Sequence, residues 1–241
     1  MKEYVLIFED DFLVDGKLDE TIWTHQVGEK WANNESQCYT DDDTHSYIAD
    51  SILHIKATYE PEAHCPFKSA RIVTKDKLHF QYGKFVFRAK MPTGRGAWPA
   101  IWFLGNTGKE RIPWPRCGEI DLLEYAGNRP SQVTCAIHTE SYNHKIHTEK
   151  MATTPLADAS LQFHDYTLEW TEEALHFFVD TDEVMTIKKE ENDTFAEWPF
   201  DQPYYLIINL AVGGWYAGKL VPEDLPFDFQ IDSIKIYQKK D

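Results

Sequence analysis

With 241 residues and no linker, low-complexity tract or repeat to divide it, the chain is expected to form a single domain over residues 1–241. Its 24 Lys and Arg against 40 Asp and Glu leave a net charge of −16, which repels phosphate backbones, anionic membranes and acidic polysaccharides. No apolar stretch approaches the ~20 residues that cross a bilayer, so nucleic acid and membrane are not expected partners, while a neutral polysaccharide remains compatible and the many aromatic rings suit one.

In chain order, Met1 to Phe8 is too short and too quickly acidic for a signal peptide, which leaves the compartment open. Leu53, Ile55 and Ala57 form one apolar strand face; Phe85, Phe87, Ala89 and Met91 form another, opposite Lys84, Val86, Arg88 and Lys90. Tyr166, Leu168 and Trp170 alternate with polar neighbours, as do Leu175, Phe177 and Val179. Asp180-Thr181-Asp182 then reads as a hairpin turn into Val184–Ile187. The continuous apolar run Tyr204–Val212 predicts a central strand covered on both sides, and Ile231–Tyr237 a closing strand. The best helical windows are only short stretches near Leu156–Phe163 and Glu190–Ala196. Many strands punctuated by Gly, Pro and Asp predict an all-β sandwich of two antiparallel sheets.

Cys38, Cys65, Cys117 and Cys135 lack metal-type spacing. Four cysteines allow three disulfide pairings and a domain of this size needs none, so free thiols are expected.

The strand-like segment Glu119 to Tyr125 carries the chemistry: three carboxylates in six residues. Acids are depleted from strands and expensive to bury unpaired. Glu119 and Asp121 share a face, whereas Glu124 would point the other way in a regular strand. One extra residue at Leu122 or Leu123, a β-bulge, turns Glu124 back into line. The two glutamate backbones would then stand roughly 13 Å apart. Inward-leaning side chains could approach the ~5–5.5 Å carboxyl separation of a retaining glycosidase. An exposed acidic edge strand or a calcium-binding patch would use the same residues.

The flanks Trp114-Pro115-Arg116-Cys117 and Tyr125-Ala126-Gly127 resemble glycoside hydrolase family 16, on its laminarinase side. The likeness runs almost end to end. It includes Phe8-Glu9-Asp10-Asp11-Phe12, Trp31-Ala32-Asn33-Asn34-Glu35-Ser36-Gln37 and Ser69-Ala70-Arg71-Ile72. It continues through Gly94 to Trp102, His164 to Trp170 and Asn209-Leu210-Ala211-Val212-Gly213-Gly214. The resemblance implies a β-jelly roll of the concanavalin A-like kind with an open concave cleft, acting as a retaining endo-β-glucanase on β-1,3 or mixed β-1,3-1,4 glucan. It further implies Glu119 as nucleophile, Asp121 as its assistant and Glu124 as general acid/base, with no cofactor for catalysis. A lectin-like glucan-binding module, transglycosylation, and another neutral polysaccharide stay as alternatives; a monomer is expected.

Trp98, Trp102, Trp114 and Trp215 are the sugar-stacking candidates, because a pyranose presents an apolar face that packs on indole. Trp170 and Trp198 are assigned to structure, while Trp23 and Trp31 are left open, with core favoured. Asn34 and Arg71 match positions on the non-reducing side of the family's cleft. His138, on the strand expected after the acidic one, is placed near Glu124 or a leaving-group sugar; His144 and His147 are read as loop residues. A structural calcium on the convex face is implied at Asp11, the Ser51 carbonyl and Asp232, whose hard oxygens suit Ca²⁺. The cleft rims are expected at Thr58–Lys68 and Asn106–Pro115.

Overall fold

The computed structural model describes residues 4–105, 108 and 111–240. The strands in chain order are β1 Tyr4–Asp10, β2 Thr24–His25, β3 Cys38–Tyr39, β4 Ser46–Ala49, β5 Ile52–Tyr59 and β6 Phe67–Ser69. They continue with β7 Arg71–Val73, β8 Gly83–Lys90, β9 Ala97–Gly105, β10 Glu119–Tyr125, β11 Gln132–His138 and β12 Lys150–Pro155. The last are β13 His164–Trp170, β14 Ala174–Val179, β15 Asp182–Lys188, β16 Tyr204–Val212 and β17 Phe227–Lys239.

Among the described residues these make two sheets, and the architecture is the expected jelly-roll sandwich. One has seven strands in the order β12-β11-β10-β9-β16-β7-β2. The other has ten, in the order β15-β14-β13-β8-β17-β5-β6-β3, with β1 added on β17 and β4 on β5. Alternation explains the packing. Phe85, Phe87, Ala89, Leu53, Ile55, Ala57, Tyr166, Leu168 and Trp170 are all buried in one core with Phe103, Leu206 and Ile208 of the facing sheet. β16 is buried along its whole length, as its continuous apolar run predicts, because it lies between β9 and β7 in the seven-stranded sheet. The turn at Asp180 and Thr181 joins β14 to β15, with Asp180 at φ 52° in the left-handed region that Asp tolerates.

Two expectations change. The windows Leu156–Phe163 and Glu190–Ala196 are turns. Each is too short to offset helix nucleation, and Asp and Thr side chains there bond the backbone locally instead, as Asp193 does with the Glu190 amide at 2.9 Å. The cysteine expectation fails for one pair: Cys38 and Cys65 form a disulfide. Parallel pairing of β3 with β6 sets Cys38 opposite Lys68, drawing the segment just before β6 alongside Cys38. Their Cα atoms lie 6.2 Å apart, within bridging range. Cys117 and Cys135 are free and buried, as expected of thiols packed as small hydrophobes.

Candidate active site

β10 holds the bulge. Its register with β11 shifts between Asp121 and Glu124, and with β9 between Asp121 and Leu123. Leu122 and Leu123 consequently both enter the core, together with Ile120 and Tyr125. Two consecutive residues on one face is the local signature of an inserted residue. The same shift returns Glu124 to the face of Glu119 and Asp121, and all three line one cleft of about 290 Å³. β9 and β16 supply its floor through Trp98, Ala100, Trp102, Asn209 and Ala211.

Each glutamate is held by an indole. Trp98 Nε1 donates to Glu124 Oε1 at 3.0 Å, and Trp114 Nε1 donates to Glu119 Oε2 at 2.9 Å. Burial raises the pKa of Glu119, and the nearby negative charge of Glu124 adds to it; the Trp114 donor works the other way. Burial likewise raises Glu124, opposed by the Trp98 donor and by Arg129. Asp121, 4 % exposed, is raised well above the ordinary carboxylate range, by burial first and then by the two flanking glutamates. Its side-chain hydrogen bond with Glu119 pulls Glu119 down relative to burial alone.

His138 sits elsewhere than expected. In the antiparallel register it lies opposite Glu119, while Thr134 lies opposite Glu124. Its Nε2 is 3.4 Å from Asp121 Oδ2 and 3.9 Å from Glu119 Oε1. Burial, helped by His144, holds its pKa down at about 4, so it is a neutral imidazole near neutral pH.

Arg71 makes no carboxylate pair among the described contacts. Its Nε donates to Gln26 Oε1 at 2.6 Å, and the guanidinium stacks between two indoles, 5.1 Å from the Trp31 ring centre and 4.8 Å from that of Trp102. Trp31, left open by the sequence with core favoured, is half-buried and lines the cleft. Its N–H donates to the Gly28 carbonyl at 3.0 Å, and its ring face meets the Arg71 guanidinium. Trp102 is oriented by its own N–H, which donates to Asn209 Oδ1 at 2.7 Å. Trp215, 53 % exposed, packs edge-on against Trp98 at 6.0 Å and on His144 at 5.4 Å. Asn34 is exposed with φ 56°, and it is its neighbour Asn33 that lines the cleft.

Sequence reading passed over Glu35, Asn209 and Lys145 and took His144 only as a loop residue; all four line the cleft. Asn209 carried a signal: a lone amide inside the buried run Tyr204–Val212 demands a partner, and it has Trp102 and Tyr39. Glu35, raised by burial, accepts from Gln37 at 2.8 Å. His144 follows a strand and shows no pattern in sequence; only tertiary contact sets its ring 5.0 Å from that of Trp114.

The disulfide ties the Thr58–Lys68 segment to Cys38, and its residues are not among those lining the cleft. Of the other expected rim, residues 106, 107, 109 and 110 lie outside the described residues, while Trp114 at its far end lines the cleft. On the opposite sheet, strand pairing gathers the calcium candidates. Asp11 follows Asp10, which pairs with Ile234; Ser51 precedes β5, in which Leu53 pairs with Ile231; Asp232 lies in a bulge of β17. Lys235 stands 3.6 Å from Asp11, and Arg88 3.5 Å from Asp232.

A two-sheet sandwich whose concave face presents three aligned carboxylates among indoles defines a carbohydrate-active protein of the glycosidase class. Residues 19–230 match the model of glycosyl hydrolases family 16, and the chain belongs to that family. It is 37% identical to a beta-glucanase of Rhodothermus marinus over 97% of this chain and 85% of the relative. It is 32% identical over 98% of its length to a glucan endo-1,3-beta-glucosidase A1 of Niallia circulans, and spans only 38% of that longer protein. The X-ray structure of the laminarinase from Rhodothermus marinus superposes with a TM-score of 0.95 at 34% identity, covering 100% of both chains.

Proposed function

We propose that the chain is one catalytic domain, a retaining endo-β-glucanase that hydrolyses β-1,3 or mixed β-1,3-1,4 glucans in two displacements. The observation that carries this reading is the bulge at Leu122–Leu123, which aligns Glu119, Asp121 and Glu124 on the cleft face.

Glu119 is the nucleophile and Glu124 the acid/base. Glu119 has two side-chain partners that favour its carboxylate against burial, the Trp114 N–H and Asp121. Glu124 has the Trp98 donor, while burial and the nearby charge of Glu35 raise its pKa. Glu124 gives that proton to the leaving glycosidic oxygen as Glu119 attacks the anomeric carbon, forming a covalent glycosyl-enzyme. Glu124, now a carboxylate, takes a proton from water, which releases the sugar with its configuration retained. Indoles and the Arg71 plane would seat successive pyranoses, their apolar faces on rings and their hydroxyls on Asn209, Glu35 and Arg71.

Reducing-sugar release from laminarin, barley glucan and lichenan, compared side by side, tests the activity and its linkage preference. Loss of release in Glu119→Ala separates hydrolysis from mere binding. With azide, Glu119→Ala should yield an α-glycosyl azide and Glu124→Ala a β-azide; opposite anomers would exchange the two roles.

A structural calcium at Asp11, the Ser51 carbonyl and Asp232 belongs to the same reading. The place and the hard-oxygen donors fit, and a bound ion would take the place of Lys235 and Arg88 beside the two carboxylates.

A further inference from the structure

We propose that Glu119, Asp121 and His138 also form a binding site for a borderline transition-metal dication such as Zn²⁺, whose occupancy reversibly shuts the active site. Binding stands on the geometry alone; only its consequence, inhibition, rests on the functional reading above.

One ligand atom from each of the three residues lies within 4.8 Å of the other two. Two donors bound to Zn²⁺ at ~2.1 Å with a tetrahedral angle stand ~3.4 Å apart. Asp121 Oδ2 and His138 Nε2 already stand 3.4 Å apart. Glu119 Oε1 is 3.9 Å from the same nitrogen, and a slight turn of the glutamate closes the difference. The second observation is independent of the clustering. Asp121 is 4 % exposed, and its Oδ2, the atom aimed at His138, is buried without a hydrogen-bond partner. A buried acceptor left unpaired costs free energy that a cation would recover. Glu119 and Asp121 line the open cleft, which supplies an entry path and room for a fourth, exchangeable water ligand.

The donor set selects the ion. One imidazole with two carboxylates suits Zn²⁺, Cu²⁺ or Ni²⁺, whereas Ca²⁺ and Mg²⁺ want six or more oxygens. The other ring nitrogen, His138 Nδ1, is buried with no partner. A ligating histidine normally donates that N–H, and losing such support typically costs 10–100-fold in affinity. The site is therefore a weak, reversible one. Metal on Glu119 occupies the lone pair that attacks the anomeric carbon, so metal and glucan exclude each other.

The test is calorimetric titration of ZnCl₂ into the full chain carrying no polyhistidine tag, with Co²⁺ absorption as an optical readout. One equivalent should bind, His138→Gln and Asp121→Asn should each weaken it at least tenfold, and saturation with laminaritetraose should weaken it in the wild type. Zn²⁺ should inhibit laminarin hydrolysis competitively and EDTA should relieve it, while equal Mg²⁺ or Ca²⁺ does neither. Should His138→Gln misfold by its melting curve, the near-isosteric Asp121→Asn and the sugar competition still decide. Undiminished Zn²⁺ binding in the folded variants, or in the sugar-saturated protein, overturns the proposal. If no β-glucan is cut yet the Zn²⁺ titration responds to His138 and Asp121 as stated, the hydrolase reading falls and the metal site stands.

Discussion

Trp98 donates its indole N–H to Oε1 of Glu124 across 3.0 Å. That bond favours the charged carboxylate and opposes the burial that raises this glutamate's pKa. A net hydrogen bond of ~1 kcal/mol corresponds to about 0.7 of a pH unit. Trp98→Phe should therefore move the alkaline limb of kcat/KM upward by about that amount, since the acid holds its proton to higher pH. Trp114→Phe should move the acidic limb instead. A Trp98→Phe profile shifted on its acidic side would assign the nucleophile to Glu124.

Glu119 should weaken the fold above neutral pH. Its pKa rises from an ordinary 4.5 to about 7 in the folded protein, so folding favours the protonated form. The stability this contributes is complete below the ordinary value and is lost as pH rises through about 7. Glu119→Gln should then melt higher than wild type at pH 8, by roughly 1–3 kcal/mol, with little difference at pH 4.5. Identical gains at both pH values would show that the carboxylate is not destabilised by burial.

Arg71 is stacked between Trp31 and Trp102, and a guanidinium plane is what such a slot accepts. Arg71→Lys keeps the charge and loses the plane. Its KM for laminarin should rise about tenfold, equivalent to ~1.4 kcal/mol, with kcat nearly unchanged. A fall in kcat at constant KM would instead tie Arg71 to the chemical step.

Calcium should raise the melting temperature without changing turnover, because Asp11 and Asp232 lie on the sheet opposite the acids. Asp232→Asn should abolish the rise. No shift on adding calcium after chelation would leave Lys235 and Arg88 as the only partners of that site.

The Cys38–Cys65 bridge closes a loop over a sequence separation of 27. Loop-closure entropy for that length is about 3.5 kcal/mol. The double change Cys38→Ser, Cys65→Ser should lower stability by roughly 3 kcal/mol, read by denaturant melts under oxidising conditions. An unchanged midpoint would mean that the bridge adds no constraint of its own.

Much of the fold was legible because burial imprints a period. Phe85, Phe87 and Ala89 alternate with charged or half-buried neighbours, and the two-residue spacing is itself the strand. Even the bulge could be read, since three acids cannot share a face without it. The short helical windows misled because a four-residue turn and a nascent helix look alike until packing chooses between them.

What the residues determined by themselves was local: which stretches are strands, which face of each is apolar, and that the run from Glu119 to Glu124 must break its own register. What only the tertiary structure decided was which distant groups meet. His138 faces Asp121 and not Glu124 because the β10–β11 register sets it opposite Glu119. Trp31 lines the cleft because Arg71, forty positions along the chain, stacks on it, and Cys38 finds Cys65 because β3 runs parallel to β6. Periodicity is a property of one segment and its solvent exposure, whereas a contact across strands depends on register and crossover, which no single segment encodes.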